Sequence, residues 1–281
     1  MSLSELDFIK AACGHGDYLL LRAQLSGEQL DGSAFQELAR RLCSRRRGVG
    51  ADGVLAFTRK QSHPCTVYAA SPRFPKDTIS GDALFCAARF LFDQGEYGIK
   101  PFPLQFQGRL FTVESVDSQN FRIEIPPPSN AGQEVDWNRP LLRTRLQETD
   151  LVPWEGACRL GTVYAPASDS AVLRKTARTL AQEQGTHPQG LFHQPLVAFS
   201  TPQKDLVTAW VYAAGWLDQS FAAAAVALHS HLEGLSSSEV LVSLNNQPFY
   251  LQLELPGPRI WVTAPVQYIF QGLYSAETSF F

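Results

Sequence analysis

Two segments constrain this chain more than any others: Ser80–Gln94 (SGDALFCAARFLFDQ) and Gln219–Glu233 (QSFAAAAVALHSHLE). Both have helical length and are built largely of alanine and other apolar residues. Neither carries a broad polar face. A helix apolar around most of its surface has to be enclosed. Short apolar runs of strand length surround each one, so the expected cover is a curved sheet.

The strand signals before the first helix are Leu6–Ala11, Asp17–Ala23, Val54–Thr58 and Thr66–Ala70. An amphipathic helix opens at Ser33, a candidate N-cap, with Gln36 or Glu37 near the capping-box position. Phe35, Leu38, Ala39 and Leu42 share its apolar face, and it is expected to run into Arg45–Arg47 and stop at Gly48. Leu104–Phe106, Leu110–Val116 and Phe121–Ile125 read as further strands. Pro126-Pro127-Pro128 cannot continue a strand ladder, which makes 126–132 the best linker. The scheme then repeats: a strand at Cys158–Tyr164, an amphipathic helix at Ser168–Gln184, strands at Leu196–Ser200 and Leu206–Tyr212, the alanine-rich helix, then strands at Val240–Ser243, Phe249–Leu253 and Ile260–Thr263. The expected fold is α+β, with two similar lobes.

Composition removes several function classes. At 281 residues with 44% hydrophobic and 18% charged side chains, the chain has ample material for a core, which argues against disorder. A net charge of −3 without a basic stripe gives no nucleic-acid footprint. No apolar run approaches the length of a membrane span, and MSLSELDFIK does not read as a secretory leader. The cysteines, Cys13, Cys43, Cys65, Cys86 and Cys158, are scattered, odd in number and free of CxxC pairs. A reducing cytoplasmic compartment is expected.

Few residues suggest chemistry by themselves. Cys13 lies near His15, but sequence adjacency does not bring two side chains together, so a small buried thiol and a surface histidine are expected. Cys86 reads as core. His229 and His231, two apart on a helix, point to different faces, a poor metal spacing; a solvated or capping role is expected. Asp205 and Asp218 are candidate bases or simply solvated carboxylates. Arg45–Arg47 reads as a charged helix end that could hold an anion. Gly48-Val49-Gly50 lacks the third glycine and following helix of a nucleotide loop. No metal site is expected.

Four ordered segments resemble the diaminopimelate epimerase family. Phe8-Ile9-Lys10 with Gly16-Asp17-Tyr18 is similar to the family's opening F-x-K-M-H-G-x-G-N-D-F. Leu42–Val54 (LCSRRRGVGADGV) is similar to L-C-D-R-R-x-G-[IV]-G-A-D-G-[VL]. Ser80–Phe90 aligns without gaps with C-G-N-G-x-R-C-x-A-R-[FY]. Trp261–Val266 with Ile269–Gly272 is similar to the closing V-x-M-T-G-P-A and V-F-x-G. The resemblance implies two pseudo-symmetric lobes, each a barrel-like sheet around a central helix. One lobe is expected over residues 1–128 plus about 266–281, the other over 129–265. It also implies a site in the inter-lobe cleft, where two cysteines act on opposite faces of the substrate Cα without a cofactor. A helix N-terminus helps form the thiolate and hold a carboxylate.

The chain departs from the family pattern where the chemistry lies. Ser80 stands at the first catalytic cysteine, beside Gly81, and Asp82 replaces an asparagine, where its charge would repel a carboxylate. Gly16 replaces another asparagine and Ser71 a third. The family's G-N-P-H falls on Gly161-Thr162-Val163-Tyr164 and its E-R-G near Val211-Tyr212-Ala213. The second catalytic cysteine falls near Leu217-Asp218, and no cysteine follows Cys158. The catalytic candidates are therefore Ser80, Cys13 and Asp218. The ligand-binding candidates are Gly16, Ser71, Gly81, Asp82, Thr162, Tyr164, Tyr212, Gln219 and Ser220, with Phe221 crowding the second-lobe loop. The leading expectation is a binding or partner protein without two-cysteine epimerase activity, with no cofactor. The alternative is an epimerase, racemase or other isomerase with a rebuilt site. The expected partner is a small molecule in the cleft, and a homodimer is left open.

Overall fold

The computed structural model describes residues 5–22, 30, 33–58, 64–72, 80–95, 97, 100–106, 108–130, 143–146, 149–155, 159–166, 170–184, 195–212, 217–254 and 259–275. Two compact units divide it: residues 1–123 with 264–281, and residues 124–263.

In the first unit the strands are β1 (Glu5–Cys13), β2 (Gly16–Leu21), β3 (Gly53–Thr58), β4 (Cys65–Ala70), β5 (Phe102–Phe106), β6 (Arg109–Ser115) and β7 (Asn120–Ile125), joined by the distal part of β16 (Arg259–Ser275). They are ordered as numbered, with β16 beside β7. Pairing of Glu5–Cys13 with Val266–Ser275 then closes the sheet into an eight-stranded barrel. Closure removes the open edges that a sheet otherwise presents to other chains. Inside lies α2 (Gly81–Asp93), touching β1, β2, β3 and β6. Ten of its thirteen residues are buried, as its apolar composition demands. Arg89 fastens α2 to β16: its guanidinium donates to the Val266 carbonyl and lies 4.2 Å from the centre of the Tyr268 ring. Outside, α1 (Ser33–Leu42) packs against β3 and β4 through Phe35, Leu38, Ala39 and Leu42.

Helix α1 ends at Leu42, earlier than the sequence suggests, and Glu37 pairs with Arg40 and Arg41 instead of completing a capping box. The following loop folds back and satisfies the helix's last carbonyls. The Gly50 N–H donates to the Leu42 carbonyl (2.9 Å) and the Ala51 N–H to that of Cys43 (3.3 Å). This return explains two glycines of the GVGADG run. A Cβ at Gly48 would stand 2.1 Å from the Arg41 carbonyl oxygen, and Gly50 has a φ of +83°.

In the second unit the order is β8 (Ser129–Asn130), β10 (Thr149–Glu155), β11 (Arg159–Tyr164), β12 (Leu196–Gln203), β13 (Leu206–Tyr212), β14 (Glu239–Leu244), β15 (Gln247–Glu254) and the first residues of β16, with β9 (Thr144–Leu146) on β10. From β10 to β15 the pairings alternate antiparallel, parallel, antiparallel, parallel, antiparallel. The first unit follows that same succession from β1 to β6. Helix α3 (Ser170–Gln184) packs on β12 and β13, and α4 (Gln219–Leu232) touches β11 through β15. Eleven of the fourteen α4 residues are buried. Strand β10, with proline at its centre, carries too weak an alternation to be read from sequence. Within the linker expected at 126–132, Ser129–Asn130 form the short strand β8, and residues 131–132 and Cys158 lie outside the described residues.

Gly48→Ala should destabilise the protein by about 1–3 kcal/mol, because the new methyl meets backbone that holds the end of α1. Chemical unfolding checks this, with Gly95→Ala as the comparison for the loss of a positive-φ glycine that has nothing within 4 Å of its Cβ position.

Candidate functional site

The first unit gathers its motif residues around two clusters. One is ionic. Lys10 on β1 donates to the Gly50 carbonyl (2.6 Å) and pairs with Asp17 on β2 at 3.0 Å. Arg45 reaches both Asp17 (2.8 Å) and Asp52 (3.1 Å). Asp17 and Asp52 also exchange bonds: the Asp17 N–H donates to Asp52 Oδ2, and the Asp52 N–H to Asp17 Oδ1. Burial alone would raise the Asp17 pKa. The hydrogen bonds from Arg45, Lys10 and Asp52 outweigh it and lower it to about 2. Every member lies in a motif picked out in the sequence, yet only the fold shows that the charges meet.

The other cluster sits at the N-terminus of α2. Ser80 is the N-cap, its Oγ accepting the Ala83 N–H at 3.4 Å, and the Tyr18 hydroxyl lies 2.8 Å from the same oxygen. Gly81 opens the helix and Asp82 lies in its positive first turn. A Cβ at Gly16 would stand 3.1 Å from both Asp82 Oδ2 and Tyr18 Oη. Gly16, Tyr18, Ser80 and Asp82 are therefore together, and all are buried. Ser71 is a step away, donating to the Asp52 carbonyl.

Cys13 pairs with Gly16 in the β1–β2 register. It is buried at the end of β1, while His15 is exposed in the turn. Cys86 is fully enclosed in α2, and burial, then Asp82 and Asp17, push its thiol well above the ordinary range. Cys43 is raised to about 12 by burial and by Asp52 and Asp17. None of the four described cysteines forms a disulfide.

In the second unit Asp218 caps α4, its Oδ1 accepting the Phe221 N–H at 2.9 Å. Gln219 Oε1 and Ser220 Oγ, in the first turn, are buried without a hydrogen-bond partner. Phe221 is buried behind them. Tyr164 and Tyr212 are each 37% exposed at the ends of β11 and β13, and Asp205 is exposed in the β12–β13 turn.

Thr162 belongs to a different arrangement. It is fully buried, accepts the Trp154 indole N–H at 2.7 Å and stands 2.7 Å from His229 Nδ1. With the indole proton already on its oxygen, the Thr162 hydroxyl has one proton to share between the Val152 carbonyl at 3.5 Å and His229 Nδ1 at 2.7 Å. Burial, then the Arg143 charge, lower the His229 pKa to about 3. The solvated role expected for His229 is thus corrected: the helix is enclosed on that face too, and Phe199 packs edge-on against the ring at 4.9 Å.

No family model matches the chain. Curated relatives do. A diaminopimelate epimerase of Carboxydothermus hydrogenoformans is 20% identical over 276 residues, covering 96% of this chain and 99% of that protein. One from Halorhodospira halophila is 25% identical over 248 residues, covering 84% and 85%. The chain is a remote homologue of the diaminopimelate epimerases. Solved structures agree on the fold. A hydroxyproline epimerase from Agrobacterium vitis superposes with a TM-score of 0.63 at 11% identity, covering 98% of this chain and 92% of that one. A PhzF-family phenazine biosynthesis protein from Enterococcus faecalis gives 0.64 at 10% identity, covering 97% and 100%. Among the described residues no helix is long and apolar enough to cross a membrane.

The two depressed pKa values set separate acid windows. His229 is neutral when folded and gains a proton near 6.5 when unfolded, so its share of stability is present above pH 6.5 and falls away toward pH 3. Asp17 contributes above its ordinary 3.8 and loses that contribution as pH falls through about 2. The melting temperature should therefore decline from pH 7 to 4. His229→Gln should lower it at pH 7 and flatten that decline, and Asp17→Asn should leave the slope between pH 7 and 4 in place.

Proposed function

We propose that this chain is a divergent diaminopimelate-epimerase-like protein that does not perform two-thiol epimerisation and that serves as a binding or partner protein on the epimerase fold. The observation that carries the reading is the use made of the two positions aligned with, or nearest to, the catalytic cysteines. Ser80 and Asp218 are helix N-caps, and their oxygens accept the Ala83 and Phe221 N–H groups. A hydroxyl is a far weaker base than a thiolate near neutral pH. A carboxylate already seated on a helix N-terminus occupies the positive end that would stabilise a bound anion. The recurrence of one pairing succession in both units supports reading them as pseudo-symmetric lobes, with residues 1–128 plus about 266–281 forming one and 129–265 the other.

The buried, unpartnered Gln219 Oε1 and Ser220 Oγ favour a retained ligand or ordered water in the second unit. Asp218 adds negative charge at the same helix end, so the ligand expected there is neutral or cationic rather than an acidic amino acid. The alternative, an isomerase acting through a rebuilt site, draws on the same two orphan groups.

Purified protein should not exchange the Cα proton of diaminopimelate in heavy water, measured beside an authentic epimerase. Calorimetry should give no saturable micromolar binding of diaminopimelate or glutamate. Exchange at a rate comparable with the control would overturn the reading, and tight binding of glutamate would overturn the ligand class.

A further inference from the structure

Three departures from the epimerase pattern meet at one side chain. Tyr18 stands where the family's opening motif has phenylalanine, Gly16 where it has asparagine, and Ser80 where it has the catalytic cysteine. The Tyr18 ring lies in a slot between two glycines. A Cβ at Gly16 would come within 2.8 Å of its Cε2, and one at Gly53 within 3.2 Å of Cδ1 and Cε1. Any larger residue at position 16 would need the ring to move. The ring's far end meets Ser80 Oγ at 2.8 Å. A fourth departure, Asp82, brings Oδ2 to the same Gly16 position. Tyr18 is 3% exposed, Ser80 5% and Asp82 6%.

We infer that Gly16, Tyr18, Ser80 and Asp82 are one interlocked replacement, in which a Tyr18–Ser80 hydroxyl pair latches the end of α2 and, with Asp82, denies the first-unit site to a reactive thiol and to an anion. The inference deepens the reading of a protein without two-thiol activity and rests on it for its meaning. Restoring cysteine at position 80 alone leaves the latch ring and the carboxylate in place. The surrounding charges would then act on the new sulfur. Lys10 on β1, Arg45 in the loop and Arg89 on α2 face Asp17 on β2, Asp52 in the loop and Asp82 itself, and Asp82 is the carboxylate in the first turn of the same helix. Strand β3 adds no charge, and β6 carries Arg109 and Glu114. Two buried thiols of this unit, Cys43 and Cys86, are raised first by burial and then by carboxylates, Asp52 and Asp17 for the one and Asp82 and Asp17 for the other.

The test has two arms, neither of which reads turnover. The first is a double-mutant cycle of Tyr18→Phe and Ser80→Ala by chemical unfolding. Tyr18→Phe should lower the folding equilibrium constant about five-fold, Ser80→Ala should lower it further because it also removes the N-cap, and the double change should cost little more than Ser80→Ala alone, leaving a coupling of about five-fold. The second arm labels Ser80→Cys with iodoacetamide at pH 7.5 and follows residue 80 by peptide mapping. The single variant should label at least about ten times more slowly than Ser80→Cys/Tyr18→Phe/Asp82→Asn. Additive costs in the cycle, within about two-fold, would overturn the latch. Equal labelling of the single and triple variants would overturn the exclusion of a thiol, and it can be read even if Ser80→Ala does not fold. A positive proton-exchange assay would instead refute the proposed function while leaving the cycle's outcome standing.

Discussion

The ionic cluster of Lys10, Asp17, Arg45 and Asp52 is the constraint on which the first unit's site depends. Four charges drawn into or beside a folded core cost several kcal/mol each unless each finds an opposite charge and its remaining hydrogen bonds. Here Asp17 answers both cations, and Asp52 answers Arg45 while trading backbone bonds with Asp17. The result ties β1 and β2 to the loop leaving α1. Tyr18 follows Asp17 directly, and Gly53 follows Asp52. Fixing the two aspartates therefore fixes the slot in which the Tyr18 ring lies.

Enclosure of a helix decides the rest of each unit. Helices α1 and α3 each bury one stripe and lie outside the strands, whereas α2 and α4 bury nearly every residue. That difference in composition is a difference in address. The amphipathic helices need one apolar surface. The alanine-rich ones need strands on several sides, and both units supply them through the same succession of pairings. Small side chains let strands approach closely, so α4 fits against five strands even though it carries polar residues such as His229 and Ser230. Those are accommodated by bonds to Thr162 and to Ser236.

The homology to epimerases and the chemistry of the helix ends point in different directions, and the physical reason is specific. A helix N-terminus offers unsatisfied N–H groups and a positive end. An epimerase of the type resembled spends them on a thiolate and a substrate carboxylate. In this chain the protein spends part of them on itself, through Ser80 at one helix and Asp218 at the other. The frame persists because its own requirements, the glycine return after α1 and the enclosed helices, do not involve the reacting groups.

Much of the fold was legible in the sequence because its signals are local. The two apolar helices α2 and α4 and the positions of most strands around them follow from neighbours along the chain. The end of α1 was misplaced because it is set by Gly50 and Ala51 folding back on Leu42 and Cys43. The departures at Gly16, Ser80 and Asp82 were each visible as single residues. That they touch was not, because positions 16 and 80 are 64 residues apart in sequence, and only packing of α2 inside the barrel closes that gap. Thr162 and His229 show the same limit in reverse. Each invited a surface or ligand role by residue type, and burial inside the second unit bonded them to each other. Sequence determined which segments are helices and where most of the strands lie, since those depend on local backbone chemistry and side-chain pattern. Tertiary structure decided which polar groups meet, since burial leaves such groups no water and makes the partner across the fold the one that counts.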